Sequence, residues 1–137
     1  MMQTHTAVTF IPINKTGKIL MQLRDDGGGK QIPYPNTWNF LGGAVEAGEN
    51  YLECVIREAD EECEMKLKKQ QCELIYVYNH DDTVDDQVFV CKVRGYEKVI
   101  VHEGREMRWM SLSEIKKLKL AFEQKKIIPQ LEKYLKK

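Results

Sequence analysis

The sequence predicts an α+β fold in a single domain, and three observations carry that expectation. Two β-rich runs open the chain, a capped amphipathic helix interrupts it, and further β-rich runs lead into a helical C-terminus. At 137 residues the chain matches one ordinary domain, and its 42% hydrophobic and 31% charged residues fit a globular core rather than a disordered chain.

Residues 5–13 and 18–24 are β-rich and separated by Lys15-Thr16-Gly17, a strand, turn, strand pattern. The segment from Asp25 to Thr37 follows, with three glycines and two prolines. It is too long for an ordinary connection and is expected to be either disordered or functional. From Asn50 to about Met65 the pattern turns helical: Asn50 is the N-cap with Glu53 three residues on, and Leu52, Val55, Ile56, Ala59 and Cys63 form an apolar stripe. The runs Leu74–Tyr78 and Gln87–Val93 flank the acidic segment Asp81–Asp86 and predict a hairpin, giving at least four strands. There, His80 with its neighbouring aspartates reads as a solvated tip in preference to a second metal site. Ser111-x-x-Glu114 opens a helical C-terminus, and Pro129 kinks or starts the last helix.

Lysine plus arginine equal aspartate plus glutamate at 21 each, so no global field draws polymeric nucleic acid or anionic membrane. The eight lysines from Ile115 onward read as the solvated face of a helix. The N-terminus shows neither a basic leader nor a membrane-length apolar run, so a cytoplasmic location is expected. Cys54, Cys63, Cys72 and Cys91 form no zinc-ligand pattern and read as buried reduced thiols. His5, His80 and His102 have no Ser or Cys spacing that suggests a covalent nucleophile.

The chemistry concentrates in the helix. Glu58, Glu61 and Glu62 fall within roughly 100° of its circumference, beside the apolar stripe. Crowded like charges at the edge of a core are unfavourable unless a cation sits among them. Oxygen-only donors select Mg²⁺, with Mn²⁺ as the alternative, and Mg²⁺ completes its shell with water and substrate phosphate. Upstream, Gly42-Gly43 allows close backbone approach to a metal or phosphate.

Gly43, five residues, Glu49, seven residues, then Arg57-Glu58-Ala59-Asp60-Glu61-Glu62 closely resembles the Nudix box, GX5EX7REUXEEXGU, where U is a bulky apolar residue. Six glycine or charged positions agree across 20 residues. Three positions depart: Glu64 stands at the box's second glycine, the small Ala59 at an apolar site, and Leu41 where a proline often precedes the glycines. The resemblance covers the box strongly and residues 5–49 and 103–115 more loosely.

It implies a Nudix-type α/β/α sandwich with a mixed β-sheet, and hydrolysis of a nucleoside diphosphate linked to another moiety X. By the same resemblance the metal ligands are Glu58, Glu61 and Glu62, with the Gly42 carbonyl added. Glu49 and Arg57 brace the loop against the helix, with Gly43 structural in the motif. Glu103 matches a further family carboxylate, with Glu106 second. The reaction implied is attack of water on phosphorus of a pyrophosphate, assisted by Mg²⁺, with Glu58 the nominee for the base and Glu103 its rival.

Arg24 resembles an arginine that contacts substrate phosphate, Phe40 (with Trp38) stands where an aromatic stacks on a base, and Gln124 falls near a purine-reading amide. About fifteen residues past Met65, where ADP-ribose hydrolases often have a proline, this chain has His80. The tyrosine of diadenosine polyphosphate hydrolases is likewise replaced, in the Asp81-Asp82 region. Both substrate assignments lose weight. The leading expectation is a small nucleoside triphosphate, noncanonical or oxidised, cleaved to the monophosphate and pyrophosphate by a MutT-like enzyme. A nucleoside diphosphate sugar comes second, and a catalytically silent nucleotide-binding module is the rival from another class. The expected partners are a small nucleotide and, as monomer or homodimer, at most a second copy of the chain.

Overall fold

In the computed structural model, which describes residues 5–25, 27–81, 83–94 and 106–136, strands gather into one mixed sheet with helices on both faces. Strand β1 (His5–Ile13) is the hub. It runs parallel to β6 (Val84–Lys92) over its full length, from His5 opposite Val84 to Ile13 opposite Lys92. Its other edge is shared: β4 (Leu41–Ala44) pairs antiparallel from Ala7 to Phe10, and β2 (Ile19–Leu23) takes over at Ile13. Beyond β2 lie β3 (Trp38–Asn39) and β7 (Glu106–Met110), and β5 (Cys72–His80) closes the opposite edge against β6. The short β3 and β4 and the strand β7 add to the four strands that the sequence announces.

Period-two alternation divides the core between the two faces. Val8 and Phe10 of β1 join Leu20, Leu41 and Phe89 beneath helix α1 (Tyr51–Cys63). Ile11 and Ile13 of the same strand join Ile19, Met21, Val88 and Val90 on the other side. That second face is covered by the short α2 (Leu112–Ile115), a 3₁₀ turn over Gln124–Ile127, and α3 (Ile128–Leu135). A fully buried side chain such as Phe10 contributes roughly 1.5–3 kcal/mol relative to exposure.

Helix α1 starts at a complete capping box: Asn50 accepts from the Glu53 amide at 2.8 Å, and the Glu53 carboxylate accepts from the Asn50 amide at 2.9 Å. It ends at Glu64, which adopts the left-handed conformation at φ 53°. The Met65 amide then reaches back to the Ala59 carbonyl at 3.1 Å, so the chain leaves the helix as it would through glycine. The C-terminal segment is not one helix: α2 lasts one turn from its own Ser111–Glu114 box, and Pro129 sits in the first turn of α3. No helix among the described residues is long and apolar enough to cross a membrane.

The hairpin between β5 and β6 differs from the sequence expectation. β5 runs to His80 and β6 starts at Val84, so Asp85 and Asp86 belong to β6. His80 and Asp86 are 5% and 4% exposed, so these two are interior groups and not a solvated tip. Alternation is the reason: both side chains fall on the inward face of their strands, and each finds a partner there.

Candidate active site

Arg57 organises one side of the site. Its Nε and Nη2 donate to the two Glu49 oxygens at 2.7 and 2.9 Å, a fork-to-fork pair that ties α1 to the preceding loop. Nη2 also donates to the Ala44 carbonyl at 3.0 Å, and Nη1 bridges Glu58 Oε1 at 2.8 Å and Glu61 Oε2 at 3.0 Å. The guanidinium holds the Glu49 carboxyl down at about 2, chiefly through these bonds, and the carboxylates in turn raise Arg57 above its usual range.

The glycine pair has a different steric duty at each position. A Cβ on Gly42 would run into the Val8 carbonyl, because β4 lies close against β1 there. A Cβ on Gly43 would fall inside the Glu58 carboxylate, so the space a side chain would fill belongs to that acid. The bare backbone expected to admit a metal or phosphate instead makes room, at Gly43, for Glu58.

The three helix carboxylates share a sector but not an environment. Counting 100° per residue, Glu62 lies on the sheet side of Glu58 and Glu61 on the solvent side. Glu62 is accordingly 4% exposed, whereas the Glu61 side chain is 57% exposed. Glu62 borders a cleft of about 370 Å³, together with Gly42, Gly43, Arg24, Phe40 and Gln124. Glu58 stands just outside that lining, over Gly43. Glu103 lies outside the described residues, and Glu106 is in β7, paired to Arg108. A larger depression of about 460 Å³ at the other end of β1, beside Asn14 and Lys15, contains none of the site carboxylates.

Among the described residues no three acidic, histidine or cysteine side chains are drawn into one metal-sized cluster. The donor chemistry nevertheless suits a hard divalent cation. Glu58 and Glu61 already converge on one cationic nitrogen, with oxygen-only donors and a bare Gly43 backbone beside them.

The opposite wall comes from distant segments. Thr9 donates to Asp86 Oδ1 at 2.9 Å, and His80 Nε2 meets Asp86 Oδ2 at 3.1 Å. Burial raises the Asp86 carboxyl, with the Thr9 and His80 hydrogen bonds opposing. His80 Nδ1 lies 3.2 Å from Asp81, which also accepts from the Tyr34 hydroxyl at 3.1 Å. Tyr34 reaches there from the long loop after β2, whose base is closed by the Arg24 amide donating to the Thr37 carbonyl at 2.9 Å. Its ring meets Phe122 edge-on at 4.7 Å between centroids, and the Arg24 guanidinium lies 4.9 Å from the centre of the same Phe122 ring. Phe122 and Glu123 both hold positive φ, at 53° and 58°. Two successive non-glycine residues in that region cost of order 1–3 kcal/mol each, a strain that the Tyr78 hydroxyl to Phe122 carbonyl bond and the Glu123 carboxylate to Asp81 amide bond help to hold.

These contacts revise the aromatic and amide assignments. Phe40 is fully buried in the core, with Trp38 packed nearby under the Arg108 guanidinium, so the Phe40 ring offers no open stacking face. Phe122 is the half-buried aromatic on the cleft wall. Gln124 accepts from the Phe40 amide through Oε1 at 2.7 Å, which fixes its orientation and leaves its NH₂ as the group to meet a ligand. Neighbouring Asn39 has a buried Oδ1 with no hydrogen-bond partner among the described residues. Asn39, His80, Asp86 and Phe122 are absent from the sequence-derived site, and only the period-two pattern of β5 and β6 signals the inward direction of two of them.

Comparison with known proteins bears on the family and the fold. The NUDIX domain family model matches residues 3–131. The ADP-ribose pyrophosphatase of Methanocaldococcus jannaschii is 33% identical over 121 residues, which span 85% of this chain and 66% of that relative, just under two thirds of its length. The crystal structure of a MutT protein from Methanosarcina mazei superposes with a TM-score of 0.80 at 22% identity, covering 99% of this chain and 98% of that one. A bifunctional NMN adenylyltransferase/ADP ribose pyrophosphatase from Francisella tularensis, solved with AMP and a manganese ion, gives 0.77 at 21% identity, over 98% of this chain and 42% of its own.

Proposed function

The chain belongs to the NUDIX domain family, and from that premise we propose that it is a divalent-metal-dependent pyrophosphohydrolase acting on a nucleoside diphosphate joined to a further group. One observation carries the proposal: Arg57 gathers Glu49, Glu58 and Glu61 around the bare Gly43, beside a cleft bordered by the buried Glu62.

In this reading Glu58, Glu61 and Glu62 hold Mg²⁺ or Mn²⁺, with the Gly42 carbonyl and Glu103 as further oxygen donors. When bound, the ion neutralises charge on the pyrophosphate oxygens and makes water a better nucleophile. The chain's residues supply the rest. Glu58 takes the proton from the attacking water, with Glu103 as the rival acceptor. Arg57 stays with Glu49 and orients Glu58. Arg24, its Nε donating to the Pro33 carbonyl at 3.2 Å, turns its remaining donors and its flat face toward the cleft and Phe122. The Gln124 NH₂ and the Asn39 Oδ1 offer a donor and an acceptor to the base edge.

Within that class a nucleoside triphosphate, noncanonical or oxidised, is the first reading, since the cleft holds polar base-reading groups alongside the acidic helix. ADP-ribose is the second. His80 in place of the proline that ADP-ribose hydrolases often carry weighs against it, and the 33% identity with an ADP-ribose pyrophosphatase weighs for it. Phosphate, pyrophosphate and nucleoside monophosphate release, followed across nucleoside triphosphates, dinucleoside polyphosphates, nucleoside diphosphate sugars and ADP-ribose with and without Mg²⁺ or Mn²⁺, decides the matter. Metal-dependent cleavage of one class is the expected result. Silence across the panel with metal bound would replace the enzyme with a nucleotide-binding module.

A further inference from the structure

We propose that Cys72 and Cys91 form a dithiol modification site, joined by oxidation in a cross-strand disulfide while Cys54 and Cys63 stay reduced. The two residues face each other directly in the antiparallel β5–β6 pair. Such partners have Cα atoms about 4.5–5.5 Å apart, inside the roughly 4.4–6.8 Å that a disulfide spans. The Cys91 thiol donates to Cys72 Sγ at 3.4 Å, so the two sulfurs are already in contact. Closing the bond needs no change of register.

The pair is asymmetric in a way that suits this chemistry. Cys72 opens the edge strand and is half-buried, while Cys91 is fully buried behind it. The hydrogen bond from Cys91 favours the thiolate on Cys72 and lowers its pKa, while Cys91 is raised by that bond and by burial. The group an oxidant reaches is therefore also the more nucleophilic one. With hydrogen peroxide as oxidant, the Cys72 thiolate attacks one oxygen and becomes a sulfenic acid as the peroxide bond breaks and water leaves. Cys91 then attacks that sulfur and expels the sulfenic oxygen as a second water. Two thiols lose two electrons and two protons in total, which the peroxide takes up. The second step is internal, so the burial of Cys91 does not hinder it.

Cys54 and Cys63 provide an internal control. Both are fully buried, they donate to the Ala44 and Ala59 carbonyls at 3.4 Å, and burial pushes their thiols up to about 12 and about 11.

The test uses the whole folded chain. It is treated with limiting peroxide, alkylated under denaturing conditions and digested without reductant for peptide mass analysis. The expected result is loss of two of the four alkylatable thiols, a Cys72–Cys91 cross-linked peptide lighter by two hydrogens, and full reversal by dithiothreitol. Cys91→Ser is expected to leave a Cys72 sulfenic acid that dimedone traps. Because that variant can fold poorly, wild-type protein is also titrated with phenylarsine oxide, whose trivalent arsenic bridges two adjacent thiols with release of water. One arsenical per chain, protecting Cys72 and Cys91 alone, supports the site. Four thiols that remain alkylatable, loss spread over Cys54 and Cys63, or chains joined only through Cys72 would overturn it.

Discussion

The two sides of the candidate site, flanking the cleft, are built by different means. On the α1 side the acidic and basic groups lie within one stretch of chain, and a single guanidinium satisfies most of them: Arg57 bonds to Glu49, Glu58, Glu61 and the Ala44 carbonyl. On the other side, Tyr34, His80, Asp86 and Phe122 arrive from separate segments and hold one another through a ring contact, a buried imidazole–carboxylate pair and two residues at positive φ. A wall made from one segment is set by spacing along a helix. A wall made from several segments exists only once the sheet has closed, and it is where neighbouring specificities diverge at least cost to the chemistry.

If that division holds, substitutions on the two walls part in kind as well as size. The largest effect is expected for Glu62→Gln, which keeps the shape and removes a buried charge: turnover falls by at least ~10²-fold with substrate KM little changed. Retained turnover in steady-state assays would dismiss Glu62 from the metal set. Phe122→Ala is expected to act the other way, raising KM by about tenfold, in line with loss of one base–aromatic contact, while kcat holds. An equal loss in kcat would mean that the walls are not separable.

The α1 wall also has its own acid response. The Glu49 carboxyl falls from 4.5 to about 2 in the folded chain. A depressed carboxyl stabilises the fold fully above its unfolded value and loses that contribution as pH drops through its folded one. Glu49→Gln should therefore lower Tm at neutral pH, with the gap to wild type narrowing below pH 4.5 and closing near 2. A gap that stays constant with pH in thermal melts would assign the effect to packing instead.

The smallest effect expected is a gain. Glu64→Gly relieves a left-handed residue at the α1 C-terminus and should add about 1 kcal/mol, or roughly 3–4 °C in Tm, without changing turnover. A fall in Tm would show that the Glu64 side chain contributes more than the strain costs.

This same division explains what the sequence disclosed. Asn50 and Glu53, Ser111 and Glu114, and the positions of Glu58, Glu61 and Glu62 around α1 are local facts, fixed by helical geometry within a few residues, and the structure reproduces them. The strands β1 and β2 were legible from their β-rich runs for the same reason. β3 and β4 were not, because two and four residues containing a glycine pair carry no periodic signal; their partners β2 and β1 define them. The burial of the Phe40 ring was not legible, because an aromatic beside a glycine pair looks the same in sequence whether it faces a cleft or the core. His80 and Asp86 misled because an acidic run implies solvent, and only the pairing of β5 with β6 shows that every second residue turns inward.

The position of β1 bears on how the chain is made. This first strand cannot complete its longest pairing until β6, at residues 84–92, has left the ribosome. Until then its apolar faces and one full row of amide and carbonyl groups await a partner that synthesis has not yet supplied. Parallel pairing of segments so far apart in sequence is slow to nucleate, because loop closure comes before any reward from contact. Between the synthesis of β1 and that of β6 the nascent chain therefore carries an open, apolar strand edge that can stick to other chains.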